Sequence, residues 1–410
     1  MIGDGSCAPL RRGGPLEGVR VVDFSSVIAG PWASHILADQ GADVIKIESP
    51  QGDIIRQAPP VRNAAMGPVF LTANRSKRSV VLDLKTPDGC AAALRLCSSA
   101  DVVLNNVRPA AMRRLGLDYA AISQVKPDVV YVSLVGFDQA GPYAARPTYD
   151  DLIQGASGLA SLFTQTGSAE PQYVPFQLVD RISGISAVNA ILAALFQRER
   201  TGRGEAIEVP MFETMAELVL ADHLGGEAFV PSIGPTGYQR LLTPHRRPYP
   251  TSDGYVCVLL VTETHWARFF ALAGRAQEYA ADPRLCEAPV RRLDYDNAYR
   301  AVAEVLATRP SAEWLALLEA GDIPVMHLHD VASLLDDPHL AATGFLGTEE
   351  HPSEGTIRTM RAPQRWAATP TATHTPAPRL GEHTADVLRE AGLDDATIAA
   401  ILERNAQPRG

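Results

Sequence analysis

Long apolar runs are missing. No stretch of about 18 uncharged apolar residues occurs in the 410-residue chain, so no transmembrane helix is expected. The opening segment MIGDGSCAPLRRGGPLEGVR lacks the apolar middle of a secretory signal. Cysteine is sparse: the five residues (Cys7, Cys90, Cys97, Cys257, Cys286) are odd in number and scattered, with no C-x-x-C pair. That disfavours a disulfide framework and a zinc site, suits a reducing compartment, and makes the cytoplasm the expected location. Excess positive charge is also missing. Lys and Arg total 37 against 47 Asp and Glu, a net charge of −10, which argues against a nucleic-acid binder or a ligand of anionic membranes. A local basic pocket for phosphates remains compatible with that balance.

Several motifs are absent as well. The segment after the first strand, SSVIAGPWAS, has one glycine where a dinucleotide fold needs G-x-G-x-x-G for close approach to a pyrophosphate. There is no G-x-x-x-x-G-K-[ST], no H-E-x-x-H and no G-x-S-x-G, so nucleotide hydrolysis, zinc proteolysis and an α/β-hydrolase triad have no anchor. The tightest histidine group is HLH at 327–329, where His327 and His329 could share one face of a strand, and it reads as structural rather than metal-binding.

What is present is rhythm. VRVVDFSS (19–26), AGPWASHILADQGA (29–42) and ADVIKIES (42–49) read as strand, helix and strand, a βαβ unit. RSVVLDLK (78–85), DVVLNNV (101–107) and DVVYVSLVGF (128–137) continue as strands, with TPDGCAAALRLCSSA (86–100) and PAAMRRLGL (109–117) as helices between them. Such alternation predicts a mostly parallel sheet covered on both faces, with ligands at the carboxyl ends of the strands. A long helix is expected over 181–197, then a strand and helix over 205–224. From 225 the texture turns rich in Gly, Pro and Tyr, which predicts a smaller α+β domain over 225–327. Residues 328–410 hold a strand at 354–360, the Pro/Thr-rich connector ATPTATHTPAP (368–378) and two short amphipathic helices.

Asp180 stands just before the small-residue helix. From the residues alone, two readings stay open: an N-cap for that helix, or a reactive carboxylate at its mouth. NRSKRS (74–79) and RPAAMRR (108–114) are basic clusters beside strand ends, either solvated surface or phosphate contacts.

Taken in order, LEGVRVVDFSSVIAGPWASHILADQGADVIKIE, NRSKRSVVLDLK, ADVVLNNVRPAAMRRLGLDY, GPYAARPTYDDLIQGASGL and GEHTADVLREAGL closely resemble the family III CoA-transferases (CaiB/BaiF type) over residues 16–405. The resemblance implies a large Rossmann-like α/β domain built from both chain ends (16–224 and 328–410), the smaller domain between them, and two interlocked subunits. It makes Asp180 the match of the catalytic aspartate. Val27 matches the pantetheine entrance, Leu82 to Lys85 the adenine surroundings, and Asn106, Val107 and Arg114 the flanks of the ADP portion. Tyr149 matches an active-site tyrosine, Ile28 belongs to the same first loop, and Met211 matches a residue near the acyl pocket. The implied substrates are an acyl-CoA and a carboxylic acid, with no permanently bound cofactor and no metal. The implied chemistry is nucleophilic: Asp180 would form an aspartyl anhydride and then an aspartyl-CoA thioester, a helix N-terminus keeping it ionised.

Two readings compete. Related α-methylacyl-CoA racemases place a histidine where this chain has Tyr149, a poor base at neutral pH. A catalytically silent CoA-binding subunit would not need the carboxylate of Asp180. The chain also departs from the family pattern: Ser49 and Pro147 stand where basic residues are usual, with Arg146 next to the second. Formyl-CoA:oxalate transferases carry His-Val-Gln after the first strand, and this chain has Ser26-Val27-Ile28. Oxalate should therefore be a poor acceptor compared with larger or less polar acids. A turnover panel of dicarboxylic, aromatic and branched acids tests this, and oxalate as the best acceptor would reverse it.

Overall fold

The computed structural model describes residues 13–369, 372 and 374–406. Cys7, the opening segment through residue 12, and residues 370, 371 and 373 of the Pro/Thr connector lie outside the described residues. By contacts the chain divides into two compact units. One comprises the chain up to Ser157, Val174–Ala216 and everything from Ala341; the other comprises Gly158–Tyr173 and Glu217–Leu340. The texture change expected at 225 falls after the switch at 217, because one continuous helix, α9 (below), carries the chain through it. The chain rejoins the first unit at 341 rather than 328.

Among the described residues, six strands form the sheet of the first unit: β1 (Arg20–Asp23), β2 (Asp43–Glu48), β3 (Lys77–Val81), β4 (Val102–Asn105), β5 (Val130–Val135) and β6 (Glu205–Pro210). They pair parallel in the order β3-β2-β1-β4-β5-β6. Alternate residues face opposite sides, and both sides are apolar. Val22, Ile45, Val80 and Val103 pack with Leu96, Met112 and the C-terminal Val387 and Ile401, whereas Val21, Val44, Val102 and Val130 pack with Leu37, Ala187 and Ile191. Burial on both faces is what near-continuous β-branched strands require.

The helices are α1 (Ala29–Asp39), α2 (Pro68–Ala73), α3 (Pro87–Cys97), α4 (Pro109–Leu115), α5 (Tyr119–Val125), α6 (Asp150–Ala156), α7 (Leu159–Gln165), α8 (Leu178–Thr201) and α9 (Met211–His223). Proline opens α2, α3 and α4, where a missing N–H costs no intrahelical bond. Thr86 caps α3 by accepting from the Gly89 N–H (3.1 Å), and Asp118 caps α5 through the Ala121 N–H (3.2 Å). Helix α8 runs longer at both ends than expected. By length and composition alone it is apolar enough to cross a membrane, against the expectation of no such segment. In the fold it lies on the sheet and on α1, with Ala187, Val188, Ile191, Ala194 and Leu195 in the core. The two helices approach closely at Gly184, where a β-carbon would sit 2.7 Å from the Ala29 carbonyl oxygen. No larger residue fits there without moving α8.

The chain end seals one edge of the sheet. Thr384 Oγ1 accepts the Val81 N–H (3.0 Å) and Asn405 donates to the Val81 carbonyl (2.8 Å), so β3 is covered by the helices Thr384–Glu390 and Asp395–Ala406. A hairpin of β10 (Leu346–His351) and β11 (Gly355–Met360) precedes them. In the second unit, β7 (Tyr249–Pro250), β8 (Tyr255–Val258) and β9 (Val325–His327) pair antiparallel against helices around Trp266, Phe269, Phe270 and Trp314. There His329 engages both ring nitrogens, one with Ser333 and one with Asp337 (3.2 Å each).

Candidate active site

Strand order reverses between β1 and β4, so the loops leaving these two strands run in opposite directions and leave a crevice beyond their carboxyl ends. A cavity of about 510 Å³ occupies it. Its wall comes from Ser26–Ala29 after β1, Asn106–Ala110 after β4, the end of β5, the 139–149 loop, Asp180 and Met211. All of these belong to the first unit.

Side chains set the shape of the loops. Asn106 clasps the β1 loop from both directions: its Oδ1 accepts the Ser26 N–H (3.0 Å) and its Nδ2 donates to the Ser26 carbonyl (2.8 Å). Val27 has a left-handed φ of 69°, unusual for a β-branched residue. Gly136, at the end of β5, allows the 139–149 loop to cross it, since a β-carbon there would meet Thr148 at 2.1 Å.

Asp180 is the third residue of α8 and is not its cap; Gln177 occupies that position without a side-chain bond. Capping comes from elsewhere. Asp150, on the first turn of α6 and nearly buried, accepts the Asp180 N–H on Oδ2 (2.9 Å) and the Gln154 Nε2 on Oδ1 (2.6 Å). Gln154 in turn accepts the Val174 N–H (2.8 Å). These bonds fix the backbone of Asp180 and leave its carboxylate without a hydrogen-bond partner among the described residues. Arg181 points away, with its guanidinium 4.2 Å from the centre of the Trp32 ring.

The electrostatics reverse the expectation that a helix N-terminus would hold Asp180 ionised. Burial first, and the Asp150 charge second, push its carboxyl from 3.8 up to about 7; Arg181 opposes this and Asp151 adds to it. The first-turn amide that would have favoured the ionised form is bound to Asp150 instead.

Of the residues singled out in the sequence, Val27, Ile28, Asn106, Val107, Tyr149, Asp180 and Met211 come together on the cavity wall. Leu82, Lys85 and Arg114 do not. Leu82 is fully buried in the core, while Lys85 and Arg114 are exposed outside the wall. Asn106 is present but both ends of its amide are engaged with Ser26. The basic wall residues are Arg108, at the N-cap of α4, and Arg146, stacked 4.0 Å from the centre of the Tyr143 ring. Asp150 and Arg108 were legible only through position: each lies at the junction where a loop enters a helix at the mouth of the crevice.

The model of the family described as CoA-transferase family III matches residues 16–384. The chain belongs to this family. The transferase is 33% identical over 383 residues to a probable fatty acyl-CoA transferase of Mycobacterium tuberculosis, covering 90% of this chain and 96% of that one. It is 33% identical over 409 residues to a succinate–glutarate CoA-transferase of Agrobacterium fabrum, covering 96% and 98%. A crystal structure of a CaiB/BaiF family protein from Brucella suis superposes with a TM-score of 0.78 at 30% identity, covering 93% of this chain and all of that one (100%).

The raised pKa of Asp180 has a measurable consequence for the transferase. Between 3.8 and about 7 the folded chain keeps a proton that the unfolded chain releases. The native state then binds more protons, so this residue makes stability fall as pH rises through that window. Asp180→Asn should flatten that part of the stability profile, as read by denaturant unfolding at a series of pH values. A slope unchanged by the substitution would refute the assignment.

Proposed function

We propose that the protein transfers CoA from an acyl-CoA thioester to a carboxylic acid with Asp180 as covalent nucleophile. One observation carries this reading: a carboxylate held at fixed backbone geometry, with no hydrogen-bond partner among the described residues, faces a crevice at the sheet's switch point. The family's activity supplies the thioester.

The ionised Asp180 attacks the thioester carbonyl, the C–S bond breaks, and CoA leaves as thiolate from an aspartyl acyl anhydride. The thiolate attacks the aspartyl carbonyl and expels the first acid, leaving an aspartyl-CoA thioester. The incoming carboxylate opens that thioester to a second anhydride, and the thiolate then takes the new acyl group, restoring Asp180. Charge and protons balance throughout, so these steps call for no metal or redox group. A carboxylate without hydrogen bonds is a stronger nucleophile than a solvated one, which suits the unpartnered side chain. Arg108 and Arg146 suit the diphosphate of CoA. Val27, Ile28, Leu134, Val135 and Met211 supply apolar wall, which suits an acid with an aliphatic portion, as in the substrates that the relatives' names give. An acid with an aliphatic segment would fit that wall better than oxalate, which has none.

Asp180→Ala should bind acyl-CoA nearly as well as the native enzyme and lose turnover by about 10⁴-fold or more. Incubation with acyl-CoA and no acceptor, followed by hydroxylamine, should yield a hydroxamate in the peptide containing Asp180. Normal turnover by a folded Asp180→Ala protein would end this reading.

The same reading includes a cytoplasmic homodimer of interlocked chains. Its support is that the chain leaves the first unit at Ala216 and returns to it at Ala341, and that α8 exposes Ile185 (55%) and Phe196 (65%), an apolar surface for a second copy. Threaded chains separate only by opening. Differently tagged dimers should therefore fail to exchange subunits over hours, and exchange within minutes would rule threading out.

A further inference from the structure

We propose that the buried Lys46–Asp53 pair is a positioning device for the transfer reaction: it holds Val27 in its left-handed conformation and so sets the cavity wall that faces Asp180. The proposal rests on the crevice being the active site.

Left-handed backbone at φ 69° is unfavourable for valine and persists only where surrounding contacts over-determine it. Those contacts are specific. The Val27 N–H is shared between both oxygens of Asp53 (3.1 and 3.2 Å). Lys46, on β2, donates from Nζ to Asp53 Oδ2 (3.0 Å) and also to the Ser25 carbonyl (2.8 Å). The ion pair thus grips the loop on both sides of Ser26, whose own N–H and carbonyl are taken by Asn106. From Ser25 O to Val27 N, every polar backbone group of this turn is bound by a side chain.

The grip is itself anchored. Asp53 is nearly buried; its N–H donates to Glu48 Oε1 (3.1 Å), and its Oδ1 also accepts the Ile55 N–H (3.3 Å). Glu48 holds Arg56 through two bonds of 2.8 Å and accepts from Ser79 Oγ (2.7 Å). A buried ion pair is a poor source of stability compared with apolar packing, so stability alone does not account for this one. What it does provide is a defined conformation at Val27 and Ile28, two residues of the wall.

A double-mutant cycle on the acyl-CoA turned over fastest tests the proposal. Asp53→Asn removes the charge, and Val27 then relaxes out of the left-handed region because its own side chain drives it out. Misplacement of the wall should lower kcat by about 10- to 100-fold with KM changed much less. In a Val27→Gly background no such drive exists, because glycine tolerates a positive φ, so Asp53→Asn should cost less than about threefold there. Equal losses in both backgrounds overturn the proposal. If Asp53→Asn does not fold, the pair K46M/D53L removes both charges at once and leaves no unpaired ion in the core. It should unfold cooperatively and show the same fall in kcat, and wild-type kcat in that folded variant overturns the proposal equally. The readout is turnover, not labelling of Asp180. A failed hydroxylamine trap therefore removes the nucleophile reading and leaves this one standing, and the converse also holds.

Discussion

Reversal of strand order between β1 and β4 is the constraint on which the rest of the molecule depends. Helices following neighbouring strands on the same side would cover the sheet's carboxyl edge, but here the loops diverge and the space beyond two strand ends stays open. Each wall element arrives there by a different route: two loops directly from β1 and β4, a third crossing over Gly136, and α8 brought in by its close contact with α1 at Gly184. Because Gly184 lies one turn after Asp180, the fit of α8 on α1 also decides how far the carboxylate reaches into the crevice.

Two aspartates divide the electrostatic work. Asp150 accepts the amide that an N-terminal carboxylate of α8 could have used, and its charge then disfavours ionisation of Asp180. A carboxylate without hydrogen bonds, surrounded by apolar wall and a like charge, is a costly arrangement for stability. Sites of chemistry are where such arrangements are found. Under the first loop the arrangement is opposite: Asp53 is buried but fully engaged, by Lys46, Val27 and Ile55.

Much of this architecture was legible in the order of residues. The β-branched runs at 19–26, 42–49, 101–107 and 128–137 contain β1, β2, β4 and β5, and 78–85 holds all of β3 but its first residue, because a parallel sheet buried on both faces favours Val and Ile. A carboxylate at the mouth of a small-residue helix is common as a cap, so it is the family resemblance, not the helix, that singles out Asp180 as reactive. Where sequence and structure differ, the causes are physical. The cap reading of Asp180 stays open in the sequence because the acceptor that takes its N–H, Asp150, is 30 residues away. Leu82, Lys85 and Arg114 rest on position in a family pattern alone; Leu82 lies in the core, and Lys85 and Arg114 are exposed off the wall of this cavity. The boundary at 225 was drawn where composition changes, yet a helix can pass from one compact unit to the next without any change in composition. The Lys46–Asp53–Val27 linkage was invisible because nothing in a single chain marks a valine for positive φ.

The sealing of β3 has a consequence for how the chain is made. Its Val81 N–H finds its acceptor on Thr384, 303 residues later, and its carbonyl finds its donor on Asn405. During synthesis the β3 edge therefore lacks these partners while residues 217–340 of the second unit are still being added. An open edge of this kind recruits other strands. The nascent protein is thus most exposed to aggregation in the interval between completion of β6 and emergence of its last two helices.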